Sequence, residues 1–389
     1  MQGTDCLVIG AGIGGLAAAL ALARAGQHVQ VCEQAGVLGE VGAGLSITPN
    51  AGRALLHLGL GAPLAAIGST PPLGAIRHYA SGDVLVTLAQ DQSREKYGVP
   101  LYHVHRADLH AALAAALRAL QPDAIRTGRA LVSLEQGERG VVAHFGDGST
   151  ATADGLIGCD GIHSVTRRLL FGADRPNFTG YVAWRGLIPG ELVAPDLLDP
   201  PLCMTVGPRR MLMRYPLRRG ALVNYVAIAR RSAWTEEGWS VRATVREVLD
   251  EFADFEPRVL RLLALTPPDR LYKWGLFDRD ALPTWTRGRV TLLGDAAHPM
   301  PPFTGQGAVM AIEDAAILGR ASAAAATLPE ALQRYEQARH ARVVAALTMS
   351  RSRSELYFAD DPGQQVRALG AGMAELRTLY DYDVAQVPV

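Results

Sequence analysis

Lysine is almost missing from this chain of 389 residues: only Lys96 and Lys273 occur, so arginine supplies nearly all the positive charge. The 38 basic and 38 acidic side chains cancel to a formal net charge of zero, which removes bulk attraction to polyanions. Arginine pairs at 167–168, 209–210, 218–219 and 230–231 lack interleaved aromatics and any recognisable binding module, so no nucleic-acid partner is expected. Cysteine is scarce as well. Cys6, Cys32, Cys159 and Cys203 form no C-x-x-C pair and have no histidine at zinc spacing. That argues against a disulfide framework and a metal site, and points to a reducing, cytoplasmic setting. No apolar run is long enough for a membrane span, and the apolar stretch 16–25 lacks the basic lead-in of a signal sequence. None of these features reports an oligomeric state.

What the chain does have is glycine in telling places. Residues 5–10 read as a short buried strand. Gly10, Gly12 and Gly15 then fit G-x-G-x-x-G, with Gly14 inside the motif, ahead of an Ala/Leu-rich helix over 16–25. A second strand over 28–33 ends on Glu33, followed by Gln34, where an acid binds ribose hydroxyls and repels a 2′-phosphate. Strand, glycines, helix and acid in register predict a dinucleotide site. Near the other end, residues 294–307 place Asp295 after an apolar strand, then a turn, then Gly305, Gly307 and Ala308 opening a helix. Backbone N–H groups there offer positive potential to an electron-rich ring, and Asp295 can accept hydrogen bonds from cofactor hydroxyls.

Between these motifs the pattern alternates. A helix over 51–60 carries Arg53, and a strand over 101–104 runs into a helix over 107–120 with Arg106 at the junction. A hairpin joins 141–145 to 150–153, and a buried strand over 156–159 closes on Asp160. Strand-like runs at 181–188, 210–215 and 221–229 are separated by Pro and Gly turns; helices are expected over 241–251, 307–320 and 328–347.

Gly10 to Gly15, the segment Gly-Cys-Asp-Gly-Ile-His-Ser at 158–164, and residues 294–307 together resemble, in order, the three signature motifs of the FAD-dependent aromatic hydroxylases. These are single-component flavoprotein monooxygenases, and the similarity spans residues 1–350. The resemblance implies an α/β fold in which a Rossmann-like FAD-binding domain (1–75, 100–176 and 275–355) is interrupted by a sheet-rich substrate domain (76–99 and 177–274). Residues 356–389 form a C-terminal extension. It implies FAD as cofactor, NADH or NADPH as co-substrate, and O2 plus a small aromatic molecule as reactants, with oxygen transfer through a flavin C4a-hydroperoxide. No motif chooses between NADH and NADPH. Glu33, Gln34, Ser46, Arg53, Arg106, Asp160 and Asp295 join the glycines as implied cofactor positions.

Such chemistry needs a dry pocket and an activated ring. Residues 299–303 offer an apolar wall that includes Pro301 and Phe303. The sequence around Tyr215 is similar to 6-hydroxynicotinate 3-monooxygenase and its salicylate hydroxylase relatives, in which a tyrosine on the matching strand contributes to substrate activation. Tyr215 is therefore the first catalytic candidate, as an orienting group or proton relay, with Tyr225 as the fallback and His298 as a second catalytic candidate. Ser46 and Phe303 stand where that pattern has histidines, which disfavours hydroxynicotinate itself. Arg185 and Arg214 are candidates for a substrate carboxylate. Three rivals stay open: a larger fused-ring substrate for epoxidation or hydroxylation, a non-catalytic FAD-binding redox sensor, and a halogenase. The last is weakened because residues 184–189 read W-R-G-L-I-P and lack the second Trp of W-x-W-x-I-P.

Overall fold

The computed structural model describes residues 5–39, 43–89, 92–234, 241–368 and 373–389. Its first strand, Cys6–Ile9, is apolar and wholly buried, as a strand covered on both faces must be. It pairs in parallel with Val29–Cys32 on one side and Gly155–Gly158 on the other, and Gly155–Gly158 pairs in parallel with Val290–Leu292. Ile125–Arg126 and the short strand Thr286–Arg287 complete six strands. Because Ile9 is level with Gly158, and Gly158 with Leu292, the segments starting at Gly10, Cys159 and Leu293 leave the sheet along one edge. Three motifs far apart in sequence thus open onto one crevice, at the carboxyl ends of the strands where α/β sheets bind ligands.

The helices Ile13–Arg24 and Gly307–Ala324 cover this sheet. They cross closely, since a Cβ on Gly319 would stand 2.8 Å from that of Ala21. The helix Leu328–Tyr357 extends well past the expected end at 347. Leu131–Gly137, Gly140–Phe145 and Thr150–Ala153 make a separate three-stranded sheet containing the expected hairpin.

An eight-stranded sheet runs in the order Val241–Arg242, Leu271–Asp278, Asn177–Pro189, Leu222–Arg230, Arg210–Leu217, Leu202–Gly207, Leu73–His78, Val84–Ala89. Its strands alternate in where their side chains go. Val182, Trp184, Leu212, Tyr225 and Ala227 pack with Val248, Phe252 and Leu262 of the helices Val245–Glu251 and Pro257–Ala264. Ala183, Met211, Ile228 and Trp274 pack instead with Phe303 and Phe358, toward the six-stranded sheet. The helix expected over 241–251 is shorter than the periodicity suggests. Residues 241–242 pair with the strand Leu271–Asp278, and the helix begins only after Thr244, whose hydroxyl accepts from the Glu247 N–H while Glu247 caps back. No helix among the described residues is long and apolar enough to cross a membrane, and all four cysteines are free.

Candidate active site

The floor of the crevice is built from backbone. Gly10 has φ +99°, and a Cβ there would lie 2.5 Å from the Cys159 carbonyl oxygen; a Cβ on Gly15 would lie 1.9 Å from the Gly10 carbonyl oxygen. Only glycine fits at both. Gly12 is the opposite case, with nothing within 4 Å of a Cβ position, and the helix after it starts without a side-chain cap. A phosphate can therefore approach the free N–H groups closely. Glu33 braces this loop: its carboxylate accepts the Ala11 and Ala35 N–H groups at 2.8 Å each, which leaves lone pairs for ribose hydroxyls. His110, not anticipated from sequence, fixes the same loop through Nε2 at 2.7 Å from the Ala11 carbonyl. Gln34 is exposed at the rim.

Asp295 lies beside the start of the helix Gly307–Ala324, its Oδ1 4.0 Å from where a Gly307 Cβ would be. Solvent reaches the carboxylate, yet protein surrounds it, as at the bottom of a cleft. Desolvation by those walls raises its pKa, against the pull of His298 and Arg106. The helix start beside it has no side-chain cap, because the Gln306 side chain is occupied with Asn50 and Thr48. Gly305, at φ +67°, has open space where a side chain would be, and Gly307 and Ala308 are half-exposed. Arg106, the first residue of the helix Arg106–Leu120, acts electrostatically on both Asp295 and Arg185 and so stands between floor and roof. An uncapped helix start, a glycine cradle that side chains would block, and a cation beside an acid fit FAD.

Two expected cofactor residues have side chains engaged with the protein. The Asp160 carboxylate accepts from Ser164 Oγ at 2.5 Å and from the Thr166 N–H at 2.9 Å, so it caps the helix Val165–Phe171, while its backbone borders Gly10 on the floor of the crevice. Arg53 donates to the Tyr380 and Tyr382 carbonyls, both at 2.6 Å, and anchors the C-terminal segment.

Strand alternation decides which roof candidates reach the cleft. Arg185 and Tyr215 face it. The Arg185 guanidinium lies over the Trp274 ring at 4.7 Å, and its buried Nε has no hydrogen-bond partner. Burial brings the Arg185 pKa down to about 10; burial also pushes the Tyr215 phenol up to about 12, with the neighbouring Arg185 opposing that rise. Ser46 is half-buried on the strand Gly44–Ile47 and interacts with the phenol. Phe303 meets Tyr181 at 5.1 Å and Phe358 at 5.3 Å, edge to face, and makes an apolar wall with Trp274. Buried Pro301 is held through its carbonyl, which accepts from Ser350 Oγ at 2.6 Å.

Arg214 and Tyr225 lie on the other face of the sheet, which corrects their expected place at the substrate. Arg214 donates to the Pro200 carbonyl at 2.9 Å, and the Tyr225 hydroxyl bonds Thr266 at 2.9 Å. His298 is also displaced from a catalytic role: its Nε2 is 2.7 Å from Asp314, in a buried network continued by Arg339 and Glu313. Sequence inspection passed over His103 and Asn224, which flank Tyr215. The alternation of Y-H-V-H over Tyr102–His105 was the available signal for His103.

The profile of the FAD binding domain family matches residues 3–350. A 3-amino-4-hydroxybenzoate 2-monooxygenase of Streptomyces platensis is 37% identical over 98% of this chain and 96% of its own length. A 6-hydroxynicotinate 3-monooxygenase of Pseudomonas fluorescens is 37% identical over 82% of each. A salicylate hydroxylase solved as a substrate complex superposes with a TM-score of 0.82 at 29% identity, covering 98% of this chain and 96% of the other. With the glycine cradle, Asp295 and the uncapped helix start converging on one crevice, the chain belongs to the FAD-binding family.

Proposed function

We propose that the protein hydroxylates a small aromatic acid carrying a ring hydroxyl or amino group, with Arg185 binding the carboxylate and Tyr215 the ring oxygen. The enzyme is an FAD-dependent aromatic monooxygenase that uses NAD(P)H and O2. When bound and reduced by NAD(P)H, FAD would activate O2, one atom of which is delivered to the ring while the other leaves as water. The observation that carries the substrate assignment is Arg185: a half-buried guanidinium whose buried Nε is unpaired, beside a neutral phenol, calls for an anion between them. Gly10, Gly12, Gly14, Gly15, Glu33, Arg106, Asp295 and the 305–308 segment are assigned to FAD. Phe303 and Trp274 exclude water from the ring.

The domain plan, with 76–99 and 177–274 as the substrate part, is supported by the pairing of Leu73–His78 with Leu202–Gly207. A cytoplasmic location is consistent with four free cysteines. The test is a panel of hydroxy- and aminobenzoates offered to the FAD-loaded enzyme with NADH or NADPH. A productive member accelerates NAD(P)H oxidation and gives a product heavier by one oxygen. Oxidation without any oxygenated product across the panel would reject the assignment.

A further inference from the structure

Asn50 joins the helix Pro49–His57 to the start of the helix Gly307–Ala324. It follows Pro49 in the first turn of its own helix and is completely buried, as are its neighbours Gln306 and Glu313. Every polar group of its amide has a partner. Asn50 Nδ2 donates to Glu313 Oε1 at 2.6 Å and to Gln306 Oε1 at 3.3 Å, while Asn50 Oδ1 accepts from Thr48 Oγ1 at 2.7 Å. Gln306 donates in turn through Nε2 to Thr48 Oγ1 and to the Thr304 carbonyl, both at 3.4 Å. A buried set of amides, one hydroxyl and one carboxylate thus stands directly behind the residues assigned to FAD.

The direction of these bonds is fixed from one end. Glu313 is surrounded by donors: Arg339 Nη1 at 2.7 Å, and Arg342 through Nε at 2.7 Å and Nη2 at 2.8 Å. A carboxylate so held can only accept, so the Asn50 atom facing it has to be the nitrogen. The second hydrogen of that nitrogen serves Gln306, whose facing atom is therefore its oxygen. The Gln306 nitrogen is then left to face the Thr304 carbonyl, an acceptor, as it does. Arg342 is anchored on its outer side by the C-terminal segment, where Nη2 donates to the Leu379 carbonyl at 2.8 Å and the guanidinium lies 3.9 Å from the centre of the Tyr382 ring. The order is C-terminal segment, Arg342, Glu313, Asn50, Gln306.

Gln306 immediately precedes the helix Gly307–Ala324, whose first N–H groups carry no side-chain cap. The Gln306 amide oxygen is the side-chain acceptor next to them in the chain. Released, it competes for those N–H groups with an electron-rich cofactor ring. We propose that Asn50 is a positioning residue that holds the Gln306 oxygen away from the helix start and so keeps the N–H groups at 307–309 free for FAD. This rests on the assignment of the 305–308 segment to the cofactor. Free N–H groups at a helix start favour negative charge, and reduction adds negative charge to a flavin. Asn50 therefore acts on two quantities at once, the affinity for FAD and the reduction potential of the bound cofactor.

The test reads both on the full-length chain: FAD affinity by fluorescence titration of the apoprotein, and the potential of the FAD-saturated protein by spectrophotometric titration against a reference dye. Asn50→Leu, close in volume, is expected to weaken FAD binding about tenfold and to lower the potential. Thr48→Val, which removes only the shared hydroxyl, is expected to move both in the same direction by less, and it carries the test if Asn50→Leu does not fold. Adding Gln306→Leu to either variant deletes the competing oxygen, and affinity and potential then return toward the wild-type values. A merely structural Asn50 gives the reverse: the second substitution adds to the first loss, and the potential of the saturated protein stays where it was. Either of those results overturns the proposal. Ala308→Pro separates it from the site assignment, because it deletes one helix-start N–H directly in a first turn that tolerates proline. Unchanged FAD binding in Ala308→Pro would remove the 305–308 site and the proposal with it. Loss there, with affinity and potential unmoved in both Asn50→Leu and Thr48→Val, would remove only the role of Asn50.

Discussion

Arg214 and Tyr215 are neighbours in sequence, yet they belong to different worlds. Arg214, with its cross-strand partner Tyr225, faces helices; Tyr215, with its partner Asn224, faces the cleft, as does Arg185 two strands away. Each face of the sheet therefore carries one arginine and one tyrosine among the candidates. What separates them is closure. Arg214 spends its donors on the Pro200 and Pro201 carbonyls and Tyr225 its hydroxyl on Thr266, whereas Arg185 Nε, His103 Nε2 and Asn224 Nδ2 are buried without partners. Buried polar groups left open beside a cleft are the mark of a binding surface; residue type alone is not.

The strongest way to break this comparison is to remove both arginines in turn. Arg185→Met is expected to lower kcat/KM for aromatic carboxylates by about 10²- to 10³-fold, chiefly through KM, because the partner of the substrate anion is lost. Arg214→Met is expected to leave kcat/KM within about twofold and to cost about 1–3 kcal/mol of stability from the stranded carbonyls, read by chemical denaturation. Equal catalytic losses would mean that strand parity does not define the site. Next in size, Tyr215→Phe is expected to slow product formation by about 10- to 100-fold while substrate-stimulated flavin reduction, followed by stopped flow, changes less. Parallel loss of both rates would remove the phenol from ring activation.

The floor of the site was far more legible than its roof. Gly10, Gly15 and Asp295 are constrained by the backbone within a few residues of themselves, so local spacing was enough. Arg185 and Arg214 could not be told apart in this way, because their difference lies in the register of the strands and in helices that cover one face. The side-chain partners of Asp160, Arg53 and His298 were hidden for a related reason. Each sits in or near a motif, but its side chain is captured by a partner that the motif does not mention: the helix after Ser164, the C-terminal carbonyls, and Asp314. The extent of the helix Leu328–Tyr357 was likewise hidden, since its last turns are held by packing against the roof rather than by a local pattern.

Asp295 carries the same test of closure to the floor, where it makes no hydrogen bond among the described residues. Its pKa is raised by desolvation, so the folded state holds the proton more tightly than the unfolded chain. The stability linked to that proton is present below the unfolded value and is lost as pH rises through the folded one. At neutral pH the carboxylate is thus a strained group in the FAD-free protein and an acceptor in the loaded one. Asp295→Asn is expected to keep or raise the melting temperature of apoprotein at pH 7 and to weaken FAD binding by about tenfold. The gain in apoprotein stability should shrink as pH is lowered. A variant that loses stability and keeps its flavin affinity would contradict the open-group argument.

The smallest expected effect is the sharpest control. Tyr225 is fully buried against the helix Pro257–Ala264, and its hydroxyl meets Thr266, which also donates to the Leu263 carbonyl. Tyr225→Phe removes one oxygen without opening a cavity for the ring, and Thr266 keeps its second bond. A loss of about 1 kcal/mol in unfolding free energy follows, with kcat and KM unchanged. Tyr215→Phe deletes the same atom one cross-strand step away. If the two variants differ in stability but not in catalysis, then the open face and the closed face are chemically equivalent and the cleft lies elsewhere. If Tyr225→Phe moves only the denaturation midpoint, a single reversal of side-chain direction along neighbouring strands accounts for the separation of structure from function in this sheet.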